Sequence, residues 1–363
     1  MIEEKKHIIY SLPFHILYTM THLLILLAGI LSLLLAQASH AQSKITLNKG
    51  DDVVLVGSGM GSRMIHYGHF ETEIFLRHIT HDLTIRNLCD EGNTPGFRPH
   101  PSREQEEQYA FPGAKDLIHE DLKAQSKPKG HFPSPSQWLS DLHAEVVLCF
   151  FGFNSSFDGP AQVGRFKKEL DAYLKHLNSM PFGVSTPQVA LLSPTAVEAI
   201  PGVTDGRRQN RNLSLYVEAM KQTAQANKVL FVDCFTPSQK WYKDGKRHSV
   251  DGALYNDYGY RKLAKFLSDS IFTASKPKDS VRTSVHKAVM DKNYFWLNDY
   301  KIPNGVHVYG RRYNPYGPQN YPFEIEKTRE YTVNRDQAIW ATLQGKPFDL
   351  AEADAKTSDL MDS

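Results

Sequence analysis

Cysteine is scarce in this sequence: Cys89, Cys149 and Cys234 are the three among 363 residues. An odd count at wide spacing is neither a disulfide framework nor a zinc site. Cys149 and Cys234 sit inside apolar runs and read as small core residues, while Cys89 follows an expected strand. An excess of one charge is lacking too. The 42 basic and 40 acidic side chains leave a formal net charge of +2, which gives no reason to expect nucleic acid or an acidic membrane as partner. There is no internal repeat. No cluster of His and Cys has the spacing of a transition-metal site, so neither a metal nor another cofactor is expected.

Long apolar runs are few, and the most conspicuous is at the N-terminus. Residues 23–35 have the length of a signal-peptide core, and Ser39 and Ala41 are the small residues that cleavage after Ala41 needs. Ala36 and Ala38 offer a second cleavage site, and Met20 is an alternative start. The expectation is a signal peptide over residues 1–41, export to the periplasm or medium, and no stable membrane insertion after cleavage. A retained anchor helix is the alternative, since residues 16–20 could extend the run toward the roughly 20 residues of a bilayer span.

What is abundant is strand-then-helix alternation. Val53, Val54, Leu55 and Val56 are a continuous apolar run, as in a strand covered on both faces. Gly57-Ser58-Gly59-Met60-Gly61 follows it, where glycine permits backbone conformations closed to other residues. Further strands are expected over residues 83–88, 144–151, 188–192 and 229–232. Helices are expected after Gly61 and over about 163–177, 212–226 and 258–271. This alternation implies an α/β protein, a five-stranded parallel, doubly wound sheet in a three-layer α/β/α arrangement. Residues 93–143 are a long polar insertion, with helix starts expected near Ala114 and after Ser134-Pro135-Ser136. An insertion of that length is often a lid or binding loop. Residues 273–343 read as a C-terminal extension, basic, aromatic and turn-rich to Tyr321 and helical from Glu324. Residues 344–363 read as a polar tail.

The strand ends spell a pattern. Gly57-Ser58-Gly59 follows the first strand, and Asn87 with Gly92 follows the second. Gly152-Phe153-Asn154 follows the third, and Asp251-Gly252-Ala253-Leu254 precedes the last helix. In this order they resemble blocks one, two, three and five of the SGNH (GDSL-like) hydrolases, over about residues 50–272. The resemblance implies a flavodoxin-like SGNH fold and ester (acyl) hydrolysis. It implies a nucleophile at the first block and oxyanion donors at Gly92 and Asn154. It also implies an Asp–His pair at the last block. Two positions depart from it. Gly59 stands where the nucleophilic serine belongs, with Ser58 in place of the aspartate, and Leu254 stands where the histidine belongs.

Several residues are therefore candidates. Ser58 either attacks as a displaced nucleophile or caps the following helix. His248 is the nearest replacement base in sequence, or else an exposed loop histidine. Asp251 either orients a base or closes a turn. His66 and His69 pack or face solvent on the first helix. Gly59, Asp90, Glu91, Asn93 and Arg98 are candidates for contacting substrate, and Asp90 or Glu91 could instead act as an acid/base pair with water. Arg98, His100 and Arg103 either clamp an anionic or sugar group or belong to a solvated lid. Two functions follow: an exported hydrolase of a carbohydrate or cell-envelope ester, or a non-catalytic module that holds a glycan or acylated ligand in the same pocket.

Overall fold

A computed structural model describes residues 43–123, 130–273, 275–303, 305–310 and 312–359. The expected signal peptide and Arg311 lie outside them. Strands β1 (Asp52–Gly57), β2 (Thr84–Asn87), β3 (Val146–Phe150), β4 (Gln188–Leu192) and β5 (Leu230–Val232) form one parallel sheet in the order β2-β1-β3-β4-β5. Its helices of six residues or more are α1 (Gly59–Met64), α2 (His69–Arg77), α3 (Pro135–Asp141), α4 (Val163–Ser179) and α5 (Arg207–Asn227). They continue with α6 (Phe235–Trp241), α7 (Asp257–Ile271), α8 (Arg282–Tyr300), α9 (Tyr313–Gln344, broken at Asn314) and α10 (Leu350–Ala355).

Successive strand residues point to opposite faces, and in β1 both faces are apolar. Val53 and Leu55 join the core formed with Ile74, Phe75, Leu263, Leu267, Val285 and Ile339. Val54 and Val56 join the opposite core with Phe166, Leu170, Tyr216 and Trp138. Helices α2 and α7 thus cover one face, and α4 and α5 the other. The expected first helix is two helices, because Gly68 takes a left-handed conformation (φ 62°) between α1 and α2. Helix α3 starts at the expected signal, with a reciprocal cap between Ser134 and Gln137 and Pro135 in the first turn.

The extension departs most from the sequence expectation. The segment read as turn-rich contains α8, a continuous helix. Its buried positions include Val285, Val289, Lys292, Asn293, Trp296, Asp299 and Tyr300, which keep helical spacing. Three of them are polar, so no apolar stripe marks the helix in the sequence.

That helix and α9 close the edge of the sheet. In β2 the even-numbered residues pair with β1, leaving the outward carbonyls of Leu83, Ile85 and Asn87. An open edge of this kind is a template for unwanted pairing. Trp340 Nε1 donates to Leu83 O at 2.9 Å, Lys292 Nζ to Ile85 O at 3.0 Å, and Trp296 Nε1 to Asn87 O at 2.9 Å. Beyond the strand, Tyr300 donates to Leu88 O at 3.0 Å. Arg86 meets Asp336 of α9, with Nη2 2.5 Å from Oδ2.

At the opposite end of the sheet, Glu145 accepts from the Asp52 N–H at 2.8 Å. Burial, opposed by a hydrogen bond with Thr84 and reinforced by Glu145, raises the Asp52 carboxyl from 3.8 to about 6. The folded state therefore binds this proton more tightly than the unfolded chain, and stability falls as pH rises from about 4 through about 6. Asp52→Asn removes that loss. Its melting temperature is expected to match the parent near pH 4 and to exceed it above pH 6. A constant difference across this range would show that Asp52 is not the titrating group.

Candidate functional site

The site is built at the carboxyl ends of β1, β2 and β3, where an open parallel sheet presents its ligand-binding crevice. Strand β1 ends at Gly57 with φ 129°, and a Cβ there would lie 2.1 Å from the carbonyl oxygen of Phe150. Only glycine lets β1 run this close to β3. Ser58 follows with extended backbone, and its N–H donates to Phe150 O at 2.8 Å. Its hydroxyl donates to the same oxygen at 3.4 Å and caps no helix N–H. The residue is 3% exposed, so the hydroxyl lies back toward β3.

The chain leaving β2 runs beside this turn. Asp90 N–H donates to Gly57 O at 2.9 Å, and Asn93 Nδ2 donates to the same oxygen at 3.0 Å. Between them the backbone reverses, with Gly92 left-handed at φ 80°. The Gly92 and Gly59 N–H groups have no partner among the described residues. From this turn the Glu91 side chain reaches back over Gly59. A Cβ built on Gly59 would lie 2.9 Å from Glu91 Oε2. A carboxylate thus occupies the space that a serine side chain at position 59 would enter.

From β3, Gly152 (φ 97°) leads to Asn154, which opens a short 3-10 turn over Asn154–Asp158. Asn154 Nδ2 donates to Asn93 O at 3.3 Å, which places its amide against the Gly92 turn. Gly59, Glu91, Gly92 and Asn154 are therefore brought together at the strand ends.

Other candidates are placed elsewhere or used otherwise. His248 is fully buried rather than an exposed loop residue. Its ring packs near Tyr242 and Tyr258, with Nε2 3.3 Å from Asp244 and Nδ1 3.7 Å from Glu198, and it is not a partner of Ser58. Asp251 accepts from Ala253 N–H at 2.9 Å and Leu254 N–H at 2.7 Å, so it closes its own turn. Asn93 spends its amide on the Gly57 carbonyl and pins two strand ends together rather than facing a ligand. Arg98 and Arg103 are buried, not parts of a solvated lid. His100 stacks on Phe132 at 3.8 Å, and burial with Arg103 nearby pushes it down to about 3. Cys89 is buried, which pushes its thiol well up and leaves it unsuited as a nucleophile.

Nothing local marks one further member of the site. Lys301, just after α8, places Nζ 2.8 Å from Asp90 Oδ1 and donates to Ser62 Oγ at 2.9 Å. It neutralises Asp90, leaving Glu91 as the acidic group over the turn. His66 is exposed, and burial of part of its ring, then Lys301 and Arg63, hold it below the ordinary imidazole range. His69 is engaged by Asp257 at 2.7 Å and stacked on His286.

The strand order β2-β1-β3-β4-β5 and the four sequence blocks at these positions agree. The fold resembles that of the SGNH hydrolases. The chain is similar to a crystal structure described as a GDSL-like lipase from Parabacteroides merdae, at 13% identity and TM-score 0.46, over 63% of this chain and 99% of that one. It is also similar to an acetylxylan esterase from Geobacillus stearothermophilus, at 14% identity and TM-score 0.42, over 62% of this chain and 96% of that one. A further acetyl xylan esterase is similar at 16% identity and TM-score 0.42, over 61% and 99%. No family model matches the sequence. No curated protein matches it. No imidazole or carboxylate hydrogen-bonds Ser58 Oγ among the described residues.

Proposed function

We propose that this SGNH-like protein binds an acylated carbohydrate at the β1–β2–β3 crevice and does not cleave it through a serine nucleophile. The observation that carries this reading is the Glu91 carboxylate lying over Gly59, where a nucleophile's side chain would stand. Ser58 directs its hydroxyl to Phe150 O, Asp251 is used in its own turn, and Leu254 replaces the base. A serine hydroxyl without a base is a poor nucleophile. What is retained suits recognition: the Gly59 and Gly92 N–H groups and the Asn154 amide can donate to an acyl carbonyl, and Glu91 can accept from a sugar hydroxyl. The acyl-carbohydrate class is supported by the acetylxylan esterases among the similar structures and by an N-terminal segment suited to export.

Purified protein is expected to bind acetylated xylo-oligosaccharides in calorimetry and to bind the deacetylated chains at least 10-fold more weakly. Asn154→Ala is expected to weaken the acetylated ligand by roughly 5- to 10-fold, the worth of one hydrogen bond. Fluorophosphonate is expected to leave the intact mass unchanged, and Ser58→Ala to leave the slow background hydrolysis of an aryl acetate unchanged. A phosphonyl adduct on Ser58 would sink the non-catalytic reading, and equal binding of the two oligosaccharides would sink the ligand class.

A second reading uses the same carboxylate. An exposed Glu91 over the oxyanion donors could serve as a base for attack by water. It requires ester turnover that Ser58→Ala retains and Glu91→Gln abolishes.

A further inference from the structure

Two guanidinium groups are buried beneath the strand-end crevice without carboxylate partners. Arg98 is 4% and Arg103 2% exposed, and neither makes an ion pair with an acid among the described residues. Glu169 is the acid whose ionisation feels Arg98. It is already held by Thr94 Oγ1 at 2.6 Å, by the Gly96 N–H at 2.7 Å and by Arg165 at 3.0 Å. Glu107 acts on Arg103 more weakly than Tyr300 or Arg98 does. Arg103 donates through Nε to Pro133 O and through Nη1 to Arg98 O, both at 2.8 Å. Arg98 donates through Nη1 to Phe97 O at 3.4 Å and also meets the Tyr173 hydroxyl, as Arg103 meets that of Tyr300. The guanidinium planes lie against aromatic rings, Phe151 and Tyr173 for Arg98 and Phe132 for Arg103, at about 5 Å.

Between them lies a small cavity, about 10 Å³ in volume, lined by both arginines with Trp138, Tyr173 and Tyr300. Its polar lining is rich in donors, and Val56, Leu88, Pro135 and Leu139 complete it with apolar groups. Arg98 Nη2 and Trp138 Nε1 are buried donors with no hydrogen-bond partner. The Tyr300 proton is committed to Leu88 O. A bound water could accept from these donors, but it carries no charge to offset two buried cations. A space this small admits one small species and excludes sulfate or phosphate.

We propose that this cavity binds a single-atom anion such as chloride, held by the guanidiniums of Arg98 and Arg103 and the indole N–H of Trp138. The ion ties three parts of the chain together: the insertion through Arg98, Arg103 and Trp138, α4 through Tyr173, and the C-terminal extension through Tyr300. The site is independent of whether the crevice above it binds an ester.

The test is thermal unfolding of the full chain at fixed ionic strength and fixed cation, with chloride replacing isethionate stepwise. A saturating rise in melting temperature is expected, about 5 °C once chloride exceeds its dissociation constant 100-fold. Bromide is expected to substitute and to give an anomalous scattering peak between the two arginines in a crystal. Trp138→Phe keeps an aromatic ring, loses the donor, and is expected to weaken the apparent chloride affinity roughly 5-fold. It serves as the informative variant where Arg98→Met does not fold. A melting temperature indifferent to chloride overturns the proposal. So does a rise that is linear without saturation, or a saturating rise that Trp138→Phe leaves untouched.

Discussion

Lys292→Met is expected to destabilise the protein by about 3–5 kcal/mol, with a matching fall in the denaturant midpoint at unchanged slope. Lys292 is fully buried between α8 and the sheet edge, with Glu71 of α2 as its ion-pair partner. Burial lowers its pKa and Glu71 opposes that shift. Removing the ammonium strands a carboxylate that is 2% exposed, leaving it only the Asn293 amide at 2.9 Å. The Ile85 carbonyl on the sheet edge loses its donor as well. The double variant Glu71→Gln/Lys292→Met removes both charges and is expected to recover most of the loss, because an uncompensated buried charge costs more than an absent pair. A double variant as unstable as the single one would show that packing, and not charge, is what Lys292 supplies.

Gly57→Ala is expected to cost more still, enough to leave little folded protein. A Cβ at this position would sit 2.1 Å from Phe150 O, 2.6 Å from its carbonyl carbon and 2.8 Å from its nitrogen. All three are backbone atoms of the neighbouring strand, so no rotamer change relieves the contact. The φ of 129° is itself closed to alanine. Moving β1 away would break the pairing of Gly57 with Phe150 and the bond from Ser58 N–H to Phe150 O. Gly92→Ala is the control. Gly92 also has positive φ, but a Cβ there meets nothing within 4 Å, so its cost is expected near the 1–2 kcal/mol of a left-handed alanine. Unfolding curves of the two variants separate steric exclusion from backbone preference. Similar costs at both positions would refute the close approach at Gly57.

The continuous apolar run Val53–Val56, the alternation after it and the turn glycines determined the parallel sheet and the place of its crevice. They suffice because a strand covered on both faces needs unbroken apolar sequence, and because close backbone approach admits only glycine. The same residues placed Gly59, Gly92 and Asn154 at one edge, since the ends of adjacent strands must meet. Other contributions depended on pairs far apart in the chain. Helix α8 carries Lys292, Asn293 and Asp299 on its buried face; docking on Glu71 and β2 accounts for the first two, and Arg329 of α9 for Asp299. Arg98 and Arg103 read as surface residues until the insertion is seen folded over them.

The chain's own order of residues thus determined the fold, the meeting of Gly59, Gly92 and Asn154 at the strand ends, and the absence of serine and histidine at the two expected positions. Tertiary structure alone decided what fills those gaps. The turn over residues 90–93 swings Glu91 over Gly59, Lys301 reaches Asp90 from the extension, and His248 is enclosed away from Ser58. Side-chain direction in a turn, and contacts across some 200 residues, are set by packing and not by local sequence.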